Sequence, residues 1–432
     1  MTNNSANSFS GLFSSPASPL SYRDYRLYWM SRFMAVMATM AIVVIIGWQV
    51  YDVARSDYGM TPKQAAFQLG LLGLAQFVPL FLLTPVAGWV ADRFERRTVA
   101  CTANMIDMLV ALTLAWATWS DTLNLPFLFI LAASHGVARV FVGPAMSTIA
   151  PNIVPPDVLP RAIAMGSIAW QSASVIGPAA AGFLYAGTPS SPYWAGAALL
   201  VLASLALLFV KPVYPPPLKG KAHPVRQMVD GLRYTWSERF LLGAITLDLF
   251  AVLLAGATAL LPVFARDILM VGPEGLGQLR AAPAAGAAVV ALWLSVRPLR
   301  TNVGAKMLWA VVVFGMATIV FGLSKVFLVS IAALITLGAA DMLSVYVRSS
   351  LVQLNTPDAM RGRVSSVSGL AISASNELGE MQSGVAAALL GPVGAVVFGG
   401  AGAILVTALW AKLFPELRNA RTFEPQFKKP KR

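Results

Sequence analysis

Gly88-Trp89-Val90-Ala91-Asp92-Arg93-Phe94-Glu95-Arg96-Arg97 is the stretch on which the fold turns: one apolar run ends in a knot of charge and another begins directly after it. Upstream, 66–91 carries no charged side chain, and downstream 99–119 carries only Asp107. Each run has the roughly 20 apolar residues that a helix needs to cross a hydrocarbon core of about 30 Å. Two spans joined by a short basic turn read as a helical hairpin through a bilayer. The arginines place the turn on the cytoplasmic side, where Lys and Arg of short loops are retained.

Working outward, the same reading gives ten further spans. The first half holds 27–52, 66–91, 99–119, 126–150, 161–187 and 193–211, and the second holds 240–264, 274–296, 304–323, 327–351, 364–390 and 392–414. Composition agrees. Charged residues make up 12% of the 432 and hydrophobic ones 57%, whereas a soluble domain carries about 25% charge. Lipid, unlike water, accepts a surface of apolar side chains. The predicted class is an all-α polytopic membrane protein.

The net charge of +13 follows from topology. With a cytoplasmic N-terminus, most of the 32 Lys and Arg residues fall inside. Arg55, Lys63, Arg266 and Lys325 fall outside, and Arg32, Arg139, Arg280 and Arg348 fall within spans. Both termini are therefore expected in the cytoplasm of a cell with this protein in its inner membrane. No nucleic-acid partner is implied. The run Lys428-Lys429-Pro430-Lys431-Arg432 suits anionic lipid headgroups.

The halves are expected to be two pseudo-symmetric six-helix bundles, 22–211 and 239–414. A disordered tail (1–21) precedes them, a Pro-rich basic linker (212–238) separates them, and a basic tail (415–432) follows. Pro156-Asp157-Val158-Leu159 and Pro357-Asp358-Ala359-Met360 follow the fourth and tenth spans, and Gly73 and Pro79 match Gly277 and Pro283 at the same spacing. Duplicated transporters place the substrate near the midplane, where the repeats meet.

With those spans in place, the loop from Gly88 to Arg97 resembles the signature loop of the major facilitator superfamily. Where the family usually has Gly, this chain has Glu95, which is expected to strain the turn. The resemblance implies a cytoplasmic gate: Gly88 lets helices approach, Asp92 accepts charge-assisted hydrogen bonds, and Arg93, Arg96 and Arg97 bridge to a facing helix end. An ordinary positive-inside loop is the alternative. Arg139 and Gly143 reproduce the Arg-x-x-x-Gly spacing of many proton-coupled members, and Gly177-Pro178 resembles the bend motif of the family's exporters. The segment 353–364, with Gly143-Pro144-Ala145 and Pro151-x-x-Val154-Pro155, is similar to the branch that includes the enterobactin exporter and macrolide efflux proteins. That likeness implies export of a siderophore or drug-like molecule by alternating access, by a monomer.

Charges inside spans are expensive and usually mark a pathway. Glu377 and Glu380 share a helical face, and paired carboxylates in low dielectric suit proton carriage, with Arg139 as the expected counter-charge. Asp341 is placed at similar depth, and pairing of these acids with Arg348 or Arg139 for structure alone is the alternative. Asp107, Asp248 and Arg280 are expected nearer the ends of their spans. His135, one turn before Arg139, is expected to tune it or to be a satisfied packing residue. Trp48, Trp116, Trp119 and Trp194 are expected in the interfacial belt.

Other functional classes are poorly served. An importer or facilitator on the same fold stays open. No G-x-x-x-x-G-K-[ST] loop or Ser-centred nucleophile elbow occurs. One cysteine and two histidines leave no expected disulfide framework, metal site or cofactor. An enzyme is not expected, and a sensor without transport is disfavoured by the charges in the spans.

Overall fold

The computed structural model of the chain describes residues 18–214 and 224–423. Twelve long helices occupy the twelve expected places. In the first half these are α1 (Arg23–Ser56), α2 (Pro62–Arg93), α3 (Arg96–Trp119), α4 (Leu125–Ser147), α5 (Leu159–Gly187) and α6 (Ser191–Leu208). In the second half they are α7 (Arg239–Leu254), α8 (Gly272–Val296), α9 (Val303–Leu323), α10 (Phe327–Leu354), α11 (Asp358–Leu390) and α12 (Pro392–Leu413). Ten satisfy both the length and the apolarity of a membrane crossing, α7 only together with the turns that continue it to Ile268. Helices α5 and α11 are long enough, at 29 and 33 residues, but they are diluted by Gly, Ala and Ser. Small residues let helix backbones approach closely inside a bilayer, at the expense of hydropathy.

Two compact units form. The first comprises Met1–Ile45 with Pro79–Lys219, and the second Ile46–Val78 with Gly220–Arg432. In the first, α3 packs along α4 and α6. Its core joins Tyr25 and Tyr28 of α1 to Val99 and Ala100 of α3 and to Ala145 and Ile149 at the end of α4. Tyr25 and Tyr28 donate to the carbonyls of Ala162 and Met146, so two buried phenols tie α1 to α4 and α5. Gly177 of α5 faces α1 directly, since a Cβ there would lie 2.7 Å from Met37 O. The Gly-Pro step is thus a site of close packing as well as a bend.

In the second unit α8 packs on α10, α9 on α10 and α12, and α7 on α11 and α12. The expected linker is partly helical: Pro224–Ser237 forms a helix. It docks on the start of α11, where Asp230 pairs with Arg363 at 3.5 Å and Gly231 lies against the Arg363 backbone. The end of α1 is tied across by crossed charges. Arg55 meets Asp267 at 3.2 Å, Arg266 meets Asp52 at 3.1 Å, and Tyr51 Oη donates to Asp267 at 2.5 Å.

Candidate functional site

The sequence reading drew one span over 240–264, but α7 stops at Leu254. Beyond it the chain runs through a 3-10 turn (Ala257–Leu260), a short helical turn (Leu261–Val263) and a π-turn (Phe264–Ile268). The cause is local. A Cβ on Gly256 would lie 2.5 Å from the carbonyl oxygen of Gly379 and 2.8 Å from Ser383 Oγ, so α7 breaks where it presses on α11. Such breaks are tolerated at membrane depth only where the released backbone groups find protein or a polar cavity. Here Thr258 O accepts from the Arg280 guanidinium at 3.2 Å. The sequence signals were Gly256 and Pro262 inside an otherwise apolar run.

Arg280 therefore belongs to the site and not to a span end. Its other terminal nitrogen lies 4.0 Å from Glu380 Oε1, which brings together two residues predicted from sequence. Glu380 is about 15 Å along the helix from the C-terminal end of α11, deep within a crossing segment. Gly73 of α2 leaves room for it: a Cβ there would meet Glu380 Cβ at 2.8 Å and Glu377 O at 3.2 Å. One turn further, Gly70 and Gly384 bring the backbones of α2 and α11 into direct contact. Glu377 is buried. The arrangement is a partly buried acidic face on α11, an arginine anchored to main chain on α8, a broken α7, and a glycine stripe on α2. It can hold a charge, exchange partners and close on backbone contact.

The remaining predicted acids have partners that the sequence did not indicate. Asp248 was expected near a span end and Arg348 was paired with other acids. Instead the two form a buried ion pair with each other. Asp341 and Ser344, on the same face of α10, line a small cavity with Asp248, Val252 and Phe314. Asp107 is central in α3, and His135 Nδ1 lies 2.5 Å from its Oδ1, so the imidazole is committed to Asp107. Arg139, one turn on, is half-buried. These pairings were hidden because partners on different helices leave no spacing in the sequence.

In the loop after α2, Glu95 departs from expectation in an instructive way. Its backbone is extended (φ −60°, ψ 120°) and unstrained, and it is the N-cap of α3. Its carboxylate accepts from Thr98 N at 3.0 Å and from Val213 N at 3.2 Å, with Arg97 at 3.4 Å. Burial alone would raise its pKa, but these hydrogen bonds and Arg97 outweigh it and hold the carboxyl below its usual value. Arg96 donates to Thr148 O at the end of α4. Arg97 donates to the carbonyls of Leu208 and Val210 at the end of α6. Cations on exposed helix carbonyls are favourable. Arg96 and Arg97 thus each meet the end of a neighbouring helix inside the first unit. Arg93 lies over the Trp89 ring. Gly88 departs from expectation, since a Cβ there meets nothing within 4 Å. The Asp92 side chain lies outside the described residues. Trp48, expected at the interface, is buried.

Known proteins match along nearly the whole chain. The profile of the transmembrane secretion effector family matches residues 14–430. The enterobactin exporter EntS of Citrobacter koseri is 28% identical over 368 residues, 84% of this chain and 86% of the relative. The enterobactin exporter of Escherichia coli K12 is 26% identical over 364 residues, with the same coverage. Among solved structures, a bacterial homologue of the human lysosomal transporter Spinster, inward-facing and occupied, superposes with a TM-score of 0.69 at 15% identity. That match covers 92% of this chain and 98% of that one. A POT family transporter in complex with 5-aminolevulinic acid gives 0.71 at 13% identity, with 92% and 97% covered. At such identities the structures speak for the fold alone, which is that of the major facilitator transporters.

Proposed function

The chain belongs to the transmembrane secretion effector family of major facilitator transporters, and on that premise we propose that it exports a small amphipathic molecule by proton-coupled alternating access. The observation that carries this reading is the Arg280–Glu380 pair beside the broken α7. A charged pair deep in membrane-crossing helices is expensive to insert and marks a pathway. Similarity to enterobactin exporters over 84% of the chain makes a catecholate siderophore or a comparable amphipathic metabolite the first cargo to test.

Glu377 and Glu380 carry the coupling proton. While Arg280 holds Glu380, the carboxylate is ionised. When the site opens and Glu380 parts from Arg280, which stays on Thr258 O, Glu380 takes up a proton, and the gradient supplies about 2.3 kcal/mol per charge per 100 mV. Arg139 answers the released carboxylate or an anionic cargo, while Asp341, Asp248 and Asp107 line the route. Asp92, Arg93, Arg96 and Arg97 form the cytoplasmic gate, and Gly177-Pro178 sets the bend of α5. One chain suffices, with both termini in the cytoplasm.

The test is proton flux in inverted vesicles given enterobactin, with macrolides and dyes as further probes, for wild type and the Glu377→Gln/Glu380→Gln double variant. Cargo-dependent collapse of the pH gradient in wild type and fewer protons moved per cargo in the variant support the proposal. Equal proton flux in both sinks the assignment of the glutamates, and uptake by right-side-out vesicles sinks export.

A further inference from the structure

A second ionisable pair lies in the first unit, apart from the site on α7, α8 and α11. Asp107 sits about 17 Å along α3 from Arg96, and His135 about 15 Å along α4 from Leu125. Both are thus mid-span. The His135 side chain is 0% exposed and that of Asp107 5%. Nδ1–H donates to the carboxylate across 2.5 Å, which leaves Nε2 as the reactive nitrogen. Nε2 has no hydrogen-bond partner among the described residues.

Charge balance assigns a role to that nitrogen. With Nε2 bare, the pair is a neutral imidazole on a carboxylate, a net negative charge in the interior of two apolar helices. With Nε2 protonated, the pair is neutral overall, which removes the cost of an uncompensated buried charge. Few neighbouring groups can substitute for that proton. Helix α6, packed along α3, contributes Tyr193 as its titratable side chain. Helix α3 itself offers Arg96, Arg97 and Cys101 toward its N-terminal end, and Asn104, buried one turn from Asp107. Helix α1 meets the end of α4 through Tyr28, which also accepts from Arg32. Arg139 is the exception: one helical turn from His135 on α4, it brings the positive charge that can replace the proton.

We infer that Asp107 and His135 form a proton-binding dyad, loading one proton at His135 Nε2 and releasing it when Arg139 swings toward the carboxylate. The inference rests on the proton-coupled reading above and deepens it. Loading transfers a proton from hydronium to the Nε2 lone pair and leaves water; release is the reverse. Nothing is oxidised or reduced, and no other bond changes. The dyad supplies a second coupling proton in addition to the one carried by Glu377 and Glu380.

The test exploits the two histidines of the chain. In protein labelled with 15N-histidine, His223→Gln leaves His135 as the only labelled imidazole, and its Nε2 signal is followed from about pH 5 to about pH 9, the range in which histidine switches. The expected result is a ring protonated on both nitrogens at the acid end that loses the Nε2 proton within the range. Asp107→Asn should give a ring lacking that second proton at the pH where wild type still holds it. A ring in one fixed protonation state throughout, or a titration identical in Asp107→Asn, overturns the dyad. In proteoliposomes with enterobactin, His135→Gln should lose protons moved per cargo, while its thermal stability in detergent separates this from misfolding. Unchanged proton stoichiometry in a folded His135→Gln protein also overturns it. Wild type that moves cargo without protons refutes the coupled reading, an outcome visible separately because the spectra need no cargo.

Discussion

Replacing Gly384 by alanine tests whether the backbone contact between α2 and α11 must part during function. A Cβ at Gly384 would sit 2.6 Å from Gly70 N and 3.1 Å from Ala66 O, and closer still to Gly70 Cα. The first of these is about 0.8 Å inside the 3.4 Å at which ordinary contact begins. The obstacles are main-chain atoms, so no side chain can swing aside. Overpacking of this kind costs about 1–3 kcal/mol, and the gain from replacing helical glycine by alanine returns about 0.5–1 kcal/mol. That gain is common to all helical states and cancels between them, whereas the overpacking cost falls only on states in which the helices touch, so separated states should gain about 5–150-fold in population. Ala66 is fully buried. In a Cys101→Ser background, Ala66→Cys should react with a water-soluble thiol reagent faster by that factor when Gly384→Ala is added. Gly88→Ala is the control, since its Cβ would meet nothing within 4 Å. An unchanged labelling rate, or a lowered melting temperature with no faster labelling, would show that the glycines stabilise the fold without governing any opening.

Two further outcomes follow from the same contacts. Asp248→Asn should destabilise the protein by about 3–5 kcal/mol, because it strands the buried Arg348; the Asp248→Leu/Arg348→Leu double variant should lose less, and melting in detergent compares them. Glu95→Ala should lose about 1 kcal/mol with the N-cap of α3. In wild type that contribution is complete above the ordinary glutamate pKa and disappears as pH falls through the lowered folded value, read as lower protection of the Thr98 and Val213 amides in acid relative to their intrinsic exchange rates.

Much of the fold was legible because bilayer thickness imposes one length on every crossing and the arginines order the loops. Ten helices have the apolarity that the argument relied on, while α5 and α11, drawn by the same reading, owe their places more to length than to hydropathy. The break in α7 was missed because hydropathy does not register a backbone collision: Gly256 and Gly379 meet from segments more than a hundred residues apart. The candidate site was legible by residue type but not by partnership. Arg280, Glu380, Asp248 and Arg348 each stood out as a charge in an apolar run. Which of them would meet depends on helix rotation, which a sequence periodicity leaves unassigned. Glu95 shows the converse, since a residue read as a strained replacement for glycine is a satisfied cap.

The anchoring of Arg280 on Thr258 O has a consequence for how such a site can diverge. A main-chain carbonyl is supplied by every amino acid, so position 258 can drift through many residue types without losing the acceptor. Gly256 has no such latitude, because any larger residue meets Gly379. Among descendants of this chain, the contact that holds the arginine should persist while the residue providing it changes identity, leaving the neighbouring glycine as its only heritable trace.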